Sequence, residues 1–114
     1  MEKLVKGKDY TLFGEKLIIR EGVQYIPDGS FVSNTKIKQI ILPSTLISIG
    51  QRAFENVSPV KSIIIPDNVI TIQNNAFSNS SLEEVTFGKN LQFIGFCAFE
   101  RCKITKVINN SNNL

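Results

Sequence analysis

The chain has 114 residues, of which 42% are hydrophobic and 20% are charged, and its net charge is +3. This length and composition are typical of one soluble globular domain and exclude a wholly disordered chain. The charge is too small to indicate nucleic-acid binding by itself. No run of about 18 apolar residues predicts a membrane span, and no apolar stretch near the N-terminus predicts a secretory signal.

Catalysis by the common side-chain arrangements is excluded because the chain contains no histidine. Ser-His-Asp and Cys-His arrangements and imidazole zinc sites cannot form. The two cysteines, Cys97 and Cys102, cannot supply the four ligands of a thiolate zinc site. The adjacent carboxylates Glu83 and Glu84 would face opposite sides of a strand and make a poor acid and base pair. We therefore expect a non-enzymatic protein with no catalytic residue, cofactor or metal.

The first predicted element is a β-hairpin. Two mainly apolar segments, 10–13 and 16–19, flank Gly14-Glu15. Glycine at the first position of a two-residue connection is typical of a type II′ turn. We expect residues 1–19 to form a capping hairpin that leads into the first strand and protects the N-terminal end of the elements that follow.

An internal repeat occupies residues 17–108. Its anchors are four phenylalanines that recur at a nearly constant spacing: Phe31, Phe54, Phe77 and Phe99. A small residue precedes each anchor, and an isoleucine lies five residues before it, at Ile26, Ile49, Ile72 and Ile94. Three further apolar columns lie earlier in each unit, and in the first unit they are Leu17, Ile19 and Val23. A period of about 20–29 residues is that of leucine-rich repeats, which have one strand and one return segment per turn.

The repeat motifs resemble those of a known family. Residues 40–54 read IILPSTLISIGQRAF and residues 63–77 read IIIPDNVITIQNNAF. These strings closely resemble the signature I-P-x-x-V-x-x-I-G-x-x-A-F-x-x-C of the BspA-like (treponemal-type) leucine-rich repeat family. The resemblance implies an α/β repeat solenoid dominated by strands, that is, a right-handed leucine-rich-repeat superhelix with a parallel concave sheet.

The repeat units give the expected order of the fold. Parallel strands are expected near residues 38–42, 61–65, 83–87 and 105–108, and the anchor phenylalanines should stack in one buried column. Each Ala-Phe segment must reverse the chain in few residues, so we expect a short helical or 3₁₀ turn there. Residues 1–114 then form a single domain: the hairpin, about four repeats of about 22–23 residues over 17–108, and a polar C-terminal tail at 109–114.

Alternation along the strands predicts the side chains that face outward. Leu17 and Ile19 and their equivalents in the later units point into the coil, so the residue between them lies on the concave face. That column is Ile18, Ile41, Ile64, Thr86 and Ile108; two positions earlier lie Lys16, Gln39, Ser62, Glu84 and Lys106. Stacked isoleucines on a solvated face favour a binding surface; alternatively, isoleucine is simply a good strand residue. The candidate contact residues are Gln39, Ile41, Ser62, Ile64, Glu84 and Thr86.

These observations favour a protein-interaction module that binds a partner through its concave sheet. The family resemblance implies a bacterial surface or secreted protein with an adhesin-like role, for which a host extracellular glycoprotein is a candidate partner. Two alternatives remain: a structural spacer or stalk in a larger surface protein, and an intracellular scaffold. Self-association through strand edges or through the Ile18, Ile41 and Ile64 ribbon is also open. Nucleic-acid binding and membrane insertion are not expected.

Two smaller features have competing interpretations. Lys36, Lys38 and Lys61 lie at predicted strand entrances, where they form either a basic patch for an acidic partner or, as we prefer, a solvated rim that protects strand edges. Cys102 falls on the cysteine column of the family and is expected to be a buried thiol. Cys97 should be more exposed, and we expect no disulfide between the two.

Overall fold

Two kinds of strand alternate along the chain in the computed structural model, which describes residues 2–114. An N-terminal pair, β1 (Tyr10–Phe13) and β2 (Lys16–Ile19), comes first. Strands of three or four residues then recur as β4 (Gln39–Ile41), β6 (Ser62–Ile64), β8 (Glu84–Phe87) and β10 (Lys106–Asn109). Two-residue strands lie between them: β3 (Tyr25–Ile26), β5 (Ser48–Ile49), β7 (Thr71–Ile72) and β9 (Phe93–Ile94). Each turn of the coil therefore contributes one strand of each kind.

The N-terminal hairpin forms as the sequence indicates. β1 and β2 are antiparallel, with Tyr10 opposite Ile19 and Phe13 opposite Lys16. Gly14 has a φ of 63°, which a type II′ turn requires at its first central position. Met1, the first residue of the predicted cap, lies outside the described residues. β1 thus covers the N-terminal edge of β2.

The longer strands pair in parallel, one per turn, as expected. β2 pairs with β4, and β8 pairs with both β6 and β10. The register places Ile18 beside Ile41 and Ile64 beside Thr86. Between residues 39 and 64, however, no strand ladder joins β4 to β6. The longer strands therefore form two three-stranded sheets with a break between them.

A second parallel sheet lies on another side of the coil. Its order is β3-β5-β7-β9, and its register aligns Tyr25, Ser48, Thr71 and Phe93. The isoleucine five residues before each anchor ends each of these strands, and Ile26, Ile49 and Ile72 are buried. The sequence shows this isoleucine column as part of the repeat but did not predict strands there, because two residues are too few for a period of two to be visible.

The anchor phenylalanines form one stack, as predicted, in which Phe31, Phe54 and Phe77 are buried and Phe99 is half-buried. Successive ring centroids from Phe31 to Phe54, Phe77 and Phe99 are 5.4, 5.2 and 5.3 Å apart, and the ring planes lie within 12° of parallel. The ring of Tyr10 stands edge-on against Phe31, with centroids 5.0 Å apart. Each ring therefore covers the ring of the preceding coil, and the N-terminal hairpin covers the first one.

The expectation of helical or 3₁₀ return turns is wrong, since no helix lies within residues 2–114. The return segments are successive β-turns, in which Ala53 N–H donates to the Gly50 carbonyl and Glu55 N–H donates to the Arg52 carbonyl. Residues two before and two after the anchor have positive φ, for example Arg52 (57°) and Asn56 (59°). A right-handed helix needs negative φ throughout, so these positions prevent one. The amide of Phe54 donates instead to the Ala76 carbonyl of the next coil.

Arg52 offers a test of this turn geometry. A non-glycine residue with positive φ costs about 1–2 kcal/mol, and asparagine adopts this conformation more readily than arginine. The Arg52 side chain is exposed, and its ion pair with Glu55 is long, at 3.9 Å, so little else is lost. We expect Arg52→Asn to raise the free energy of unfolding by about 0.5 kcal/mol in urea titrations. Gln51→Asn, at a position without positive φ, is the control and should leave the free energy of unfolding unchanged. Equal effects of the two changes would contradict the positive φ of Arg52.

Candidate functional site

The outward-facing column of the longer strands contains exposed isoleucine side chains. Ile64 is 69% exposed and Ile41 is 38% exposed, whereas the neighbouring Ile40 and Ile63 point inward and are buried. Gln39 and Ser62 are exposed as well. Ile18 at the start of the column is only half-buried. The exposed apolar surface is therefore centred on Ile41 and Ile64, which lie on the two sides of the break between β4 and β6.

A cleft of about 510 Å³ lies at this break. Four of the six candidate contact residues line it: Gln39, Ile41, Ser62 and Ile64. Its floor consists of Ile40, Leu42 and Ile63, which belong to the hydrophobic core. An exposed cleft with apolar walls on a core floor is a common form of ligand and peptide site.

A carboxylate is fixed at the rim of this cleft. Glu21 accepts hydrogen bonds from the Ser44 amide at 3.0 Å and from the Ser44 hydroxyl at 2.7 Å. The backbone hydrogen bond from Ser44, followed by its side-chain hydrogen bond, lowers the pKa of Glu21. Because both bonds favour the charged form, Glu21 supplies a negative charge beside the apolar walls at neutral pH.

The cleft continues into a second groove toward the entrances of the strands. This groove has a volume of about 420 Å³ and shares Gln39 and Ser62 with the cleft. Its other walls come from the hairpin and from the segment before β4: Phe13, Glu15, Lys16 and Lys38. Phe13 is 82% exposed. Among the described residues, Lys16 and Lys38 form no ion pair within 4 Å. Because Glu15 lies in the same lining, this end of the groove carries one positive charge in excess.

The two remaining candidate residues lie on the next strand. Glu84 is beside Ser62 and Thr86 is beside Ile64, and both are half-buried. Lys106 of β10 forms an ion pair with Glu84 at 3.5 Å. Glu84 and Thr86 therefore flank the cleft without lining it.

The lysines at the strand entrances do not act as one patch. Lys61 pairs with Glu83 at 2.9 Å, so its charge is compensated. Lys38 lies in the second groove. Lys36 is exposed, and its amide is bound by the Asn34 side chain. The structure thus separates the three lysines into one paired residue, one groove residue and one rim residue.

The cysteines lie on the opposite, return side of the coil. Both are free and half-buried, so Cys102 is less enclosed than expected. The Cys102 thiol donates to the Phe77 carbonyl at 3.1 Å. A side-chain hydrogen bond between Cys97 and Glu100, followed by desolvation, raises the pKa of Cys97. A raised pKa disfavours the thiolate, so Cys97 lacks the thiolate character of a reactive cysteine.

The residues that the sequence analysis missed are Glu21 and Phe13. Glu21 lies one repeat period before Ser44, and that spacing is the signal that places the two side by side. Phe13 precedes the hairpin turn, and its exposure has no periodic signal. Among residues 2–114, no helix is long and apolar enough to cross a membrane, and no cluster of three potential metal ligands occurs.

The stacked coils, each with a strand on two sides and a phenylalanine in the centre, define a leucine-rich-repeat type of solenoid. The model of one family, described as the BspA type leucine rich repeat region (6 copies), matches residues 10–114. The chain belongs to this family. No curated protein and no solved structure matches the chain significantly. The family membership suggests a protein-interaction module.

Proposed function

We propose that the chain binds an extended segment of a partner protein across the cleft between β4 and β6 and the adjoining groove. The observation that carries this proposal is the pair Ile41 and Ile64, which stand exposed on both sides of a break in the sheet. An apolar surface of this kind on a polar rim is typical of interaction sites. Gln39 and Ser62, between the cleft and the groove, would hydrogen-bond the partner.

The charges at the two ends suggest the chemistry of the partner segment. Lys16 and Lys38 at the strand entrances favour an acidic side chain, and Glu21 at the other end favours a basic group or a free N–H. Apolar side chains between them would occupy the cleft. Complementary charges of this kind set orientation and association rate more than affinity, so the isoleucines should dominate the binding energy.

The biological setting that we propose follows from the family resemblance alone. It is a bacterial surface or secreted protein with an adhesin-like role, whose partner is a host extracellular glycoprotein. The spacer and scaffold alternatives differ from it in a measurable way, because a spacer would bind nothing through the cleft and an intracellular scaffold would not bind extracellular proteins.

The test uses a double variant and a matched control. Ile41→Lys combined with Ile64→Lys adds two charges to the cleft. Ile70→Lys changes an isoleucine away from the cleft whose exposure, 37%, matches the 38% of Ile41. Binding to individually immobilised extracellular-matrix glycoproteins is measured by surface plasmon resonance. We expect the double variant to weaken binding at least about tenfold, which is about 1.4 kcal/mol, and Ile70→Lys to bind normally.

Two outcomes would contradict the proposal. One is that the folded wild-type chain binds no member of the panel, which favours the spacer or the scaffold. The other is that both variants bind as the wild type does, which places the contact elsewhere. Circular dichroism and urea midpoints confirm that each variant is folded before its binding is compared.

A further inference from the structure

The main chain at the break between β4 and β6 lacks hydrogen bonds that the other coil boundaries have. Just before each longer strand, an amide donates to a carbonyl of the preceding coil: Lys38 to Glu15 at 2.8 Å, Glu83 to Lys61 at 2.7 Å and Thr105 to Glu83 at 2.8 Å. At the break, the equivalent amide is that of Lys61, and within residues 2–114 it makes no such bond to the Lys38 carbonyl. One donor and one acceptor are therefore free where the two strands begin.

The end of the break beyond the strands is open in the same way. One coil later, the Ile65 amide donates to the Thr86 carbonyl at 2.8 Å. The equivalent amide at the break belongs to Leu42, and it has no bond to the Ile64 carbonyl in the described part of the chain. Leu42 is only 9% exposed and lines the cleft. Because an enclosed main-chain amide needs a hydrogen-bond partner, this end of the cleft requires an acceptor from outside the chain.

The break is too narrow for a third strand to insert. Cα atoms of β4 and β6 come within 8 Å of each other, whereas two strands that flank a third lie about 9.6 Å apart. An extended segment can instead lie in the cleft above the break, with one edge of its main chain toward it. In this orientation, successive side chains point alternately to the Ile41 side and to the Ile64 side, so the segment contacts both apolar walls.

We infer that the cleft recognises the main chain of its partner, an extended peptide stretch that bonds the Lys61 and Leu42 amides and the Lys38 and Ile64 carbonyls. The inference rests on the proposed function and adds what is recognised there. From residue 38 to residue 42 the free groups span about 13 Å, or four residues of extended chain. Two peptide residues four positions apart present an N–H and a C=O each on the same edge, which matches one donor and one acceptor at each end of the break.

The charges at the two ends restrict this stretch further. The groove beside Lys38 carries one positive charge in excess, and the fixed carboxylate of Glu21 lies at the other end, beside Ser44. An acidic side chain at one end of the stretch and a basic side chain at the other complement these charges, with apolar side chains between them. Main-chain hydrogen bonds supply affinity in this mode of recognition, and the charges set the orientation.

Amide hydrogen exchange followed by NMR tests the free groups in the unbound chain. The Lys61 amide should exchange at least about tenfold faster, relative to its intrinsic rate, than the bonded amides of Lys38 and Glu83. All three residues are exposed, so the comparison measures hydrogen bonding and not burial. A Lys61 amide as protected as the other two would show a closed ladder in solution and would overturn the inference.

Binding is measured by isothermal titration calorimetry with synthetic peptides of about seven residues. The peptides are acetylated and amidated, carry aspartate at one end and lysine at the other in both orders, and have valine and threonine between. N-methylation of all central amides keeps every side chain but removes the donors, and it should weaken binding at least about tenfold. Lys61→Pro removes the free amide without breaking a hydrogen bond of the protein. It should weaken binding at least about tenfold more than Lys61→Ala, which loses the same side chain but keeps the amide.

The outcomes separate this inference from the proposed function. Binding that is lost in the Ile41→Lys and Ile64→Lys double variant but is unchanged by N-methylation and by Lys61→Pro would overturn main-chain recognition, and the proposed function would stand. A wild-type chain that binds none of the peptides at about 1 mM would overturn the inference as well, and the glycoprotein measurement would then decide the proposed function alone.

Discussion

Phe77→Ala should lower the free energy of unfolding by about 3–5 kcal/mol, the range for removing a buried phenylalanine ring. Phe77 is fully buried between the rings of Phe54 and Phe99, at centroid distances of 5.2 and 5.3 Å. The change removes both ring contacts and leaves a cavity in the middle of the stack. The backbone of both neighbouring coils is also hydrogen-bonded there, since the Phe77 amide donates to Ala98, so the coils cannot simply close together.

The loss is measured from urea-induced unfolding followed by circular dichroism at low protein concentration. Natural domains have about 5–15 kcal/mol of stability in total, so Phe77→Ala removes a large share of it and should lower the urea midpoint clearly. Phe77→Leu retains most of the apolar volume and should cost less. Phe13→Ala, at an exposed ring, should change stability by less than about 0.5 kcal/mol. A loss below about 1 kcal/mol for Phe77→Ala would show that the ring stack does not carry the fold.

The parts of this fold that the sequence predicts are those with a long-range period. The constant repeat spacing places Phe54 over Phe31 and Ile41 beside Ile18, because each coil repeats the path of the previous one. The period therefore predicted the ring stack, the parallel strands and the outward direction of Ile41 and Ile64, all of which the structure has. The type II′ hairpin was predictable as well, since Gly14 is a local signal of its own.

The return turns were not predictable from residue types. Asn56, Asn75 and Asn79 have positive φ, and asparagine favours that region. Arg52 and Cys97 occupy the position equivalent to Asn75 with the same φ sign, although neither residue type indicates it. In these segments the hydrogen bonds between coils impose the backbone conformation on whatever residue is present, and a single sequence read locally suggests a helical turn.

The cleft between β4 and β6 also depends on geometry that the sequence does not contain. The residues on both sides follow the repeat without interruption, as Ile41 and Ile64 show. A continuous ladder between two adjacent parallel strands requires their backbones to lie within hydrogen-bonding distance. A displacement of the connecting segments by less than the length of one residue is enough to break it, and a sequence pattern does not show displacements of that size. The sequence therefore predicted which side chains face outward but not that the sheet opens between them.

Gly50→Ala is the second change with a large expected effect, a loss of about 1–3 kcal/mol. Gly50 is buried, and its amide donates to the Ile26 carbonyl at 2.8 Å. A Cβ on Gly50 would lie 2.6 Å from that same carbonyl oxygen and 2.7 Å from the Asp28 amide nitrogen. Both are backbone atoms of the preceding coil, so alanine must push two coils apart. The φ of Gly50 is not in the positive range, and the loss therefore measures space alone.

A double-mutant cycle with Asp28→Ala identifies the atoms responsible. The Asp28 carboxylate oxygen is also 2.6 Å from the Cβ position on Gly50. This side chain is exposed, and the same oxygen accepts a hydrogen bond from the Gln51 amide at 2.8 Å, a bond that Asp28→Ala removes with and without the Gly50 change. If the backbone contact dominates, Gly50→Ala costs the same in the wild type and in Asp28→Ala, within about 0.5 kcal/mol. Recovery of the lost stability in the double variant would instead assign the clash to the Asp28 side chain. The third coil has Gln73 at the equivalent position, four residues before its anchor. The repeat therefore does not require glycine at this position in every coil, and the requirement at Gly50 comes from its own contacts with the preceding coil.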